Sequence, residues 1–165
     1  MFSCIMSRME IQVPHSIGII MDGNRRWARE RGLPTLEGHR AGYAKLKEVA
    51  AWCRDVGVRH LAVYAFSTEN WKRDANEVAY LMDFMRIAFR EQLSELRKER
   101  TAVHIVGKLD LLPADLQETV RTLHDTNPSD ATHHLWACVS YGGRAEIVDA
   151  VNVLREEDGV VDEDA

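Results

Sequence analysis

An α/β fold on a mostly parallel sheet with helical crossovers is predicted by two features of this 165-residue chain. Four short apolar runs, at 17–21, 60–66, 101–107 and 134–141, end in turn residues or charges, the pattern of strands buried on both faces of a sheet. Longer segments with apolar residues at helical spacing separate them, and strands joined by helices form right-handed βαβ units around a parallel sheet.

The first run, Ile17-Gly-Ile-Ile-Met21, stops at Asp22-Gly23-Asn24 followed by Arg25 and Arg26. Ligands of open parallel sheets sit beyond the carboxyl ends of the strands, so Asp22 stands where chemistry is usually placed. Gly23 lets the backbone approach a ligand, and Asn24 offers both a donor and an acceptor. One carboxylate beside two guanidinium groups suits a metal-bridged polyanion, most simply a diphosphate. An ordinary Asp-Gly turn at a strand end accounts for the same residues equally well.

A charged segment at 25–32 forms a helical turn or two and is broken by Gly32-Leu33-Pro34. A helix over 38–56 carries Leu46, Val49, Ala50 and Cys53 on one face, and Gly57 stops it. The second strand leads into Ser67-Thr-Glu-Asn-Trp-Lys-Arg73. A further helix opens at 74–76, where Asp74 and Glu77 have the spacing of a capping box. Its apolar positions are Val78, Leu81, Met82, Met85, Phe89, Leu93 and Leu96, and Tyr80, Phe84 and Ile87 widen the face. So broad a face belongs to a helix sandwiched in the core or to one lining an apolar cavity, with core the default. After the third strand, Pro113 starts a short helix through Leu116, Val120 and Leu123, and 127–130 is a loop. The fourth strand ends in Gly142-Gly143 before a helix bearing Ile147, Val148, Val151 and Leu154. His104, His124, His133 and His134 make no ligand pattern with neighbouring acids and read as structural.

The formal net charge of −5 is concentrated in Glu156, Glu157, Asp158, Asp162, Glu163 and Asp164; without these six the 21 basic residues face 20 acidic ones. A nearly neutral body with an acidic tail gives no nucleic-acid footprint. The three cysteines, Cys4, Cys53 and Cys138, are far apart, which fits a reducing cytoplasm rather than a disulfide framework or a zinc site. The N-terminal apolar stretch is too short for a signal peptide and no run is long enough to span a bilayer. The expected organisation is an extension at 1–14, one α/β domain at 15–157 and an acidic tail at 158–165.

Four motifs then stand in order: IGIIMDGNRRWA, EGHRAG at 37–42, YAFSTENWKR at 64–73 and YGGR at 141–144. Together they closely resemble the cis-prenyltransferase family, typified by undecaprenyl diphosphate synthase. The resemblance implies one α/β domain around an apolar tunnel, a homodimer, and Mg2+-dependent condensation of isopentenyl diphosphate onto an allylic diphosphate such as farnesyl diphosphate. It implies a cytoplasmic enzyme with peripheral membrane contact through its lipid product. By residue it makes Asp22 the catalytic carboxylate and Mg2+ ligand, and gives the allylic substrate Gly23, Asn24, Arg25, Arg26, Trp27 and His39. Ser67, Thr68, Glu69, Asn70, Trp71 and Arg73 become a mobile segment over the reaction centre, with Asn70 the proton acceptor. An amide is a poor base, so orientation by Asn70 with diphosphate taking the proton stays open. The helix at 78–96 would line the tunnel, with Ala65 near its wall. The alkene nucleophile requires no activated Ser, Cys or Lys, and the Asp-Asp-x-x-Asp cluster of the unrelated trans-prenyl synthases is missing.

Two departures qualify this. Thr35 stands where relatives often carry a diphosphate-binding arginine. The chain also lacks the family's final section, with its Arg-x-Ser-Gly-Glu-type motif and downstream metal-binding Glu, so a C-terminally truncated domain is expected. The competing readings are a non-catalytic diphosphate-binding fragment without an isopentenyl diphosphate site and, more distantly, a nucleotide-binding module, for which no Gly-x-Gly-x-x-Gly or Walker sequence is present.

Overall fold

Four parallel strands, β1 (Ser16–Ile20), β2 (His60–Ser67), β3 (Thr101–Val106) and β4 (His133–Tyr141), form one sheet in the order β1-β2-β4-β3. The connecting helices are α1 (Asn24–Glu30), α2 (Thr35–Asp55), α3 (Ala75–Lys98) and α4 (Ala114–Asp125), and α5 (Gly143–Glu156) follows the last strand. This computed structural model describes residues 12–156, apart from the side chains of 92–98 and 156. The side chains of Leu93 and Leu96, most of the N-terminal extension and the acidic tail therefore lie outside what is described. Among those described, no helix is long and apolar enough to cross a membrane.

The parallel α/β architecture agrees with the sequence pattern, but the strands are not buried on both faces. Alternate residues of β2, β3 and β4 point to one side, where Phe66, Val103, Ile105 and Val139 pack on Leu81, Met82, Met85 and Phe89 of α3 and on Leu116, Val120 and Leu123 of α4. Cys53, Val58, Leu61 and Val63 form a smaller cluster, with Ile17, Ile19, Leu46, Val49 and Ala50 packed against it. The opposite face, with Ala62, Tyr64, Trp136 and Cys138, is only half-buried. Helix α5 does not supply core either, because Ile147, Val148 and Val151 are exposed.

Helix α2 starts at Thr35, ahead of the expected 38, because Pro34 precedes it and its carbonyl accepts from Glu37 N at 3.0 Å. The outer edge of β3 is occupied by side chains. Asn127 accepts from Val103 N at 2.8 Å and donates to Val103 O at 2.9 Å, while His124 Nε2 accepts from Ile105 N at 3.0 Å. His124 is thus structural, as the sequence suggests, through a strand-like pairing.

Four other histidines form a row that only the strand register reveals. Across the half-open face the rings of His15 and His60 are 4.9 Å apart, those of His60 and His134 4.8 Å, and those of His134 and His104 5.4 Å. Trp136 stacks on His104 at 4.0 Å and its indole N–H donates to His60 Nδ1 at 3.2 Å. His104 Nε2 and His134 Nδ1 are hydrogen-bonded at 3.1 Å. Burial first, and the neighbouring His134 second, hold His60 and His104 below the ordinary histidine range; burial also lowers His133.

A base whose proton affinity is depressed by folding takes up protons more readily in the unfolded chain, so acid favours unfolding. Stability should therefore be full above about pH 6.5, the ordinary histidine value, and fall as pH drops below it. Thermal midpoints compared at about pH 7.5 and 5.5 check this, and replacing His60 and His104 together by Gln should make the loss shallower. An unchanged slope in that variant would remove the row as its source.

Candidate functional site

A cavity of about 1000 Å³ opens beyond the carboxyl ends of β1 and β2 and runs along the buried face of the sheet. Asp22, Gly23, Asn24, Arg25, Arg26, His39, Ser67, Asn70 and Arg73 line it, as do Arg29 and Thr35. Farther along the strands its wall is apolar, with Leu81, Phe84, Met85 and Phe89 of α3 opposite Val103, Ile105 and Leu135. The broad face of α3 thus serves both purposes weighed from the sequence: Leu81, Met85 and Phe89 are buried core residues and also border the void. Ile87 departs from that face and is 54% exposed. Ala65, expected near the wall, lines it.

The Asp22 turn is built by backbone constraints. Asp22 N donates to Ile20 O at 3.0 Å, ending β1, and Gly23 adopts φ +86°, a conformation glycine takes without strain. The exposed Asp22 carboxylate accepts from Gly23 N at 2.6 Å. Helix α2 lies directly against this turn. A Cβ on Gly38 would sit 2.1 Å from Asn24 O, and one on Gly42 2.5 Å from Asn24 Oδ1. The two glycines of EGHRAG, one helical turn apart, are what admit this contact. Their i, i+4 spacing was the available signal, obscured by reading Gly38 as a helix start.

Glu77 is the functional neighbour that sequence reading misplaces. Asp74 does cap α3, accepting from Asn76 N at 2.9 Å and Glu77 N at 3.4 Å. The Glu77 carboxylate instead turns inward and accepts from His39 Nε2 at 3.4 Å and Arg73 at 3.1 Å, with Arg25 Nε at 3.9 Å. Burial lowers the proton affinity of His39, against the opposing hydrogen bond and charge of Glu77.

The segment after β2 is a short 3-10 helix, Thr68–Lys72. The Ser67 hydroxyl accepts from Glu69 N at 3.1 Å, and Asn70 Oδ1 accepts from Ser67 N at 3.0 Å. Trp71 points into the protein, edge-on to Phe66 at 5.1 Å, and donates to Ser140 Oγ at 2.8 Å. Ser140 is fully buried with φ +52°, at a break in the β2–β4 register. A Cβ on Gly142 would come within 2.8 Å of Thr68 Oγ1. Ser140-Tyr-Gly-Gly-Arg144 therefore forms a platform under this helix. Of the residues expected around the ligand, Thr68, Glu69, Trp71 and Trp27 do not line the cavity. Trp27 is 38% exposed, with the Arg31 guanidinium 4.3 Å over its ring.

The family model of undecaprenyl diphosphate synthase matches residues 20–164. The chain belongs to this prenyltransferase family. The prenyltransferase sequence is 43% identical over 144 residues to a geranylgeranyl-diphosphate-specific tritrans,polycis-undecaprenyl-diphosphate synthase of Archaeoglobus fulgidus, covering 86% of this chain and 57% of that protein. Isoprenyl transferase 2 of Streptomyces avermitilis is 38% identical over 145 residues, covering 88% and 51% respectively. The chain thus spans about half the length of these relatives. The prenyltransferase fold superposes with a TM-score of 0.84 on lavandulyl diphosphate synthase from Lavandula x intermedia, solved with dimethylallyl diphosphate, at 29% identity over 92% of this chain and 66% of that one.

The contact between α2 and the Asn24 turn can be tested by Gly38→Ala. Alanine gains about 1 kcal/mol in helix propensity. Its methyl group would meet the Asn24 carbonyl at 2.1 Å, and overpacking of this kind costs roughly 1–3 kcal/mol or more. The variant should therefore be less stable, with a lower urea midpoint. A midpoint equal to or above the parent's would show that the two elements separate freely.

Proposed function

We propose that this chain carries the allylic-substrate site of a Mg2+-dependent cis-prenyl chain-elongating enzyme. Such an enzyme condenses isopentenyl diphosphate onto an allylic diphosphate, with farnesyl diphosphate the assigned primer class. The observation that carries the reading is the cavity itself, which joins a cationic mouth around Asp22 to a long apolar wall. A diphosphate attached to a prenyl chain has the same division of charge and apolar surface.

Arg25, Arg26, His39 and Arg73, with Gly23, Asn24 and Ser67, hold the diphosphate head, and the prenyl chain lies against α3. Asp22 is the Mg2+ ligand. Among the described residues no three His, Cys, Asp or Glu side chains cluster as a metal site. One exposed carboxylate fits Mg2+, which keeps several waters and is commonly bound through one or two carboxylates and substrate phosphates. When bound, the ion neutralises charge growing on the leaving diphosphate.

The guanidinium groups stabilise that charge as the allylic C–O bond breaks and its electron pair leaves with the diphosphate. The π pair of isopentenyl diphosphate forms the new C–C bond, and loss of a proton from the resulting cation gives the new cis double bond. The Asn70 amide oxygen already accepts from Ser67 N. We therefore give Asn70 the orienting role and the released diphosphate the proton. Thr68, Glu69 and Trp71 act from behind, holding Ser67, Asn70 and Arg73 in place, and Trp27 supports α1. The enzyme is assigned to the cytoplasm as a homodimer that meets a membrane through its lipid product.

Calorimetry with farnesyl diphosphate and Mg2+, together with incorporation of radiolabelled isopentenyl diphosphate, tests the reading. Binding without incorporation would leave the allylic site alone in this chain, and absence of both would overturn the proposal. Asp22→Ala should abolish Mg2+-dependent binding while the thermal midpoint holds. Wherever turnover is measurable it should fall on the order of a thousandfold, the scale of losing one strong charge-stabilising contact. Unchanged Mg2+-dependent affinity in this variant would remove Asp22 from the metal site.

A further inference from the structure

Three basic side chains at the cavity mouth come from separate elements. Arg25 is on α1, His39 on α2, and Arg73 follows the 3-10 helix. Two guanidinium charges on independent supports repel each other unless an opposite charge lies between them. One carboxylate does so here: Glu77 Oε1 lies 3.1 Å from Arg73, 3.4 Å from His39 and 3.9 Å from Arg25. Among the described residues it is the only acidic side chain paired with Arg25 or Arg73. The Glu77 side chain is 13% exposed, that of His39 12% and that of Arg73 26%, so these contacts sit largely out of water, where electrostatic contacts strengthen, while Arg25 reaches the carboxylate from the solvent side at 60% exposure. Arg25, His39 and Arg73 all line the cavity, whereas Glu77 does not.

The backbone of Glu77 is fixed as firmly as its side chain. It lies in the first turn of α3, and Asp74 accepts from its N–H. Asp74 caps the helix on its own, which leaves the Glu77 carboxylate free to reach into the mouth.

Resting on the reading of this mouth as a diphosphate site, we propose that Glu77 is a positioning residue that gathers Arg25, His39 and Arg73 into one preformed cradle for the substrate's diphosphate head. It never touches the substrate. Its negative charge alone would weaken binding of an anion, so a simple counter-charge and a positioning group predict opposite effects on removal. Preorganised donors are worth more than mobile ones because no reorganisation is needed when charge arrives.

The test compares the parent chain with Glu77→Gln and Glu77→Asp by calorimetry at fixed Mg2+ and ionic strength, using farnesyl diphosphate and inorganic pyrophosphate as probes. Positioning predicts that E77Q weakens both by about tenfold, equivalent to about 1.4 kcal/mol, although the mouth becomes one unit more positive. E77D, which keeps the charge on a shorter arm, should fall between parent and E77Q. Equal or tighter binding by E77Q overturns the proposal, because a counter-charge is then all that Glu77 supplies. A second readout needs no ligand: the NMR titration of His39. Glu77 raises the proton affinity of His39, so E77Q should shift the His39 titration to lower pH. An unmoved His39 titration overturns the positioning role even where the parent binds both probes. A parent that binds neither probe overturns the diphosphate reading, and with it the role in substrate binding. Should E77Q fail to fold, E77D carries the same comparisons with smaller expected changes.

Discussion

The approach of α2 to the carbonyl of Asn24 is the constraint on which the cavity mouth depends. It works through absence of side chains: two glycines one turn apart let a helix lie closer to a turn than any larger residue would permit. That distance sets where Asp22 and the arginines of α1 stand relative to His39, which occupies the position after the first of those glycines. The same helix carries Leu46 and Ala50 to the cavity wall. One backbone contact thereby fixes both the polar opening and part of the apolar side.

The packing around this mouth is uneven. On the α4 side of the sheet, Leu116 and Val120 are almost wholly buried and lie clear of the cavity. Between α2 and the front half of α3 the apolar surface borders a void instead. Atoms lining a void lose the dispersion contacts they would have in a filled core. An apolar ligand would supply those contacts, and a ligand that binds only the folded state stabilises it by mass action. The fold thus combines a well-packed side with one whose packing is completed by what it binds.

The sheet and its crossovers are legible because each strand and helix announces itself within a few residues, through apolar run, periodicity and turn. The Asp22 turn is legible for the same reason. What is not legible depends on partners far away in the chain. Asp74-x-x-Glu77 reads as a local capping pair, but a hydrogen bond to His39, 38 residues distant, holds the glutamate inward. His15, His60, His104 and His134 look unrelated until parallel register sets their rings side by side. Trp71 carries no mark in the sequence that tells a ligand contact from an anchor; its choice is made by Ser140, 69 residues later. Burial of both sheet faces also fails as an expectation, since apolar runs do not say how many helices reach each face.

The side chains along β3 close one edge of the sheet. Asn127 and His124 already occupy backbone groups that an added strand would need, much as a terminal residue can cap a polymer end. β1 pairs with β2 alone, and no comparable pair of side chains seals its far side among the described contacts. A strand pairing with β3, from this chain or from another molecule, would first have to displace Asn127 and His124, which protects that edge from mispairing.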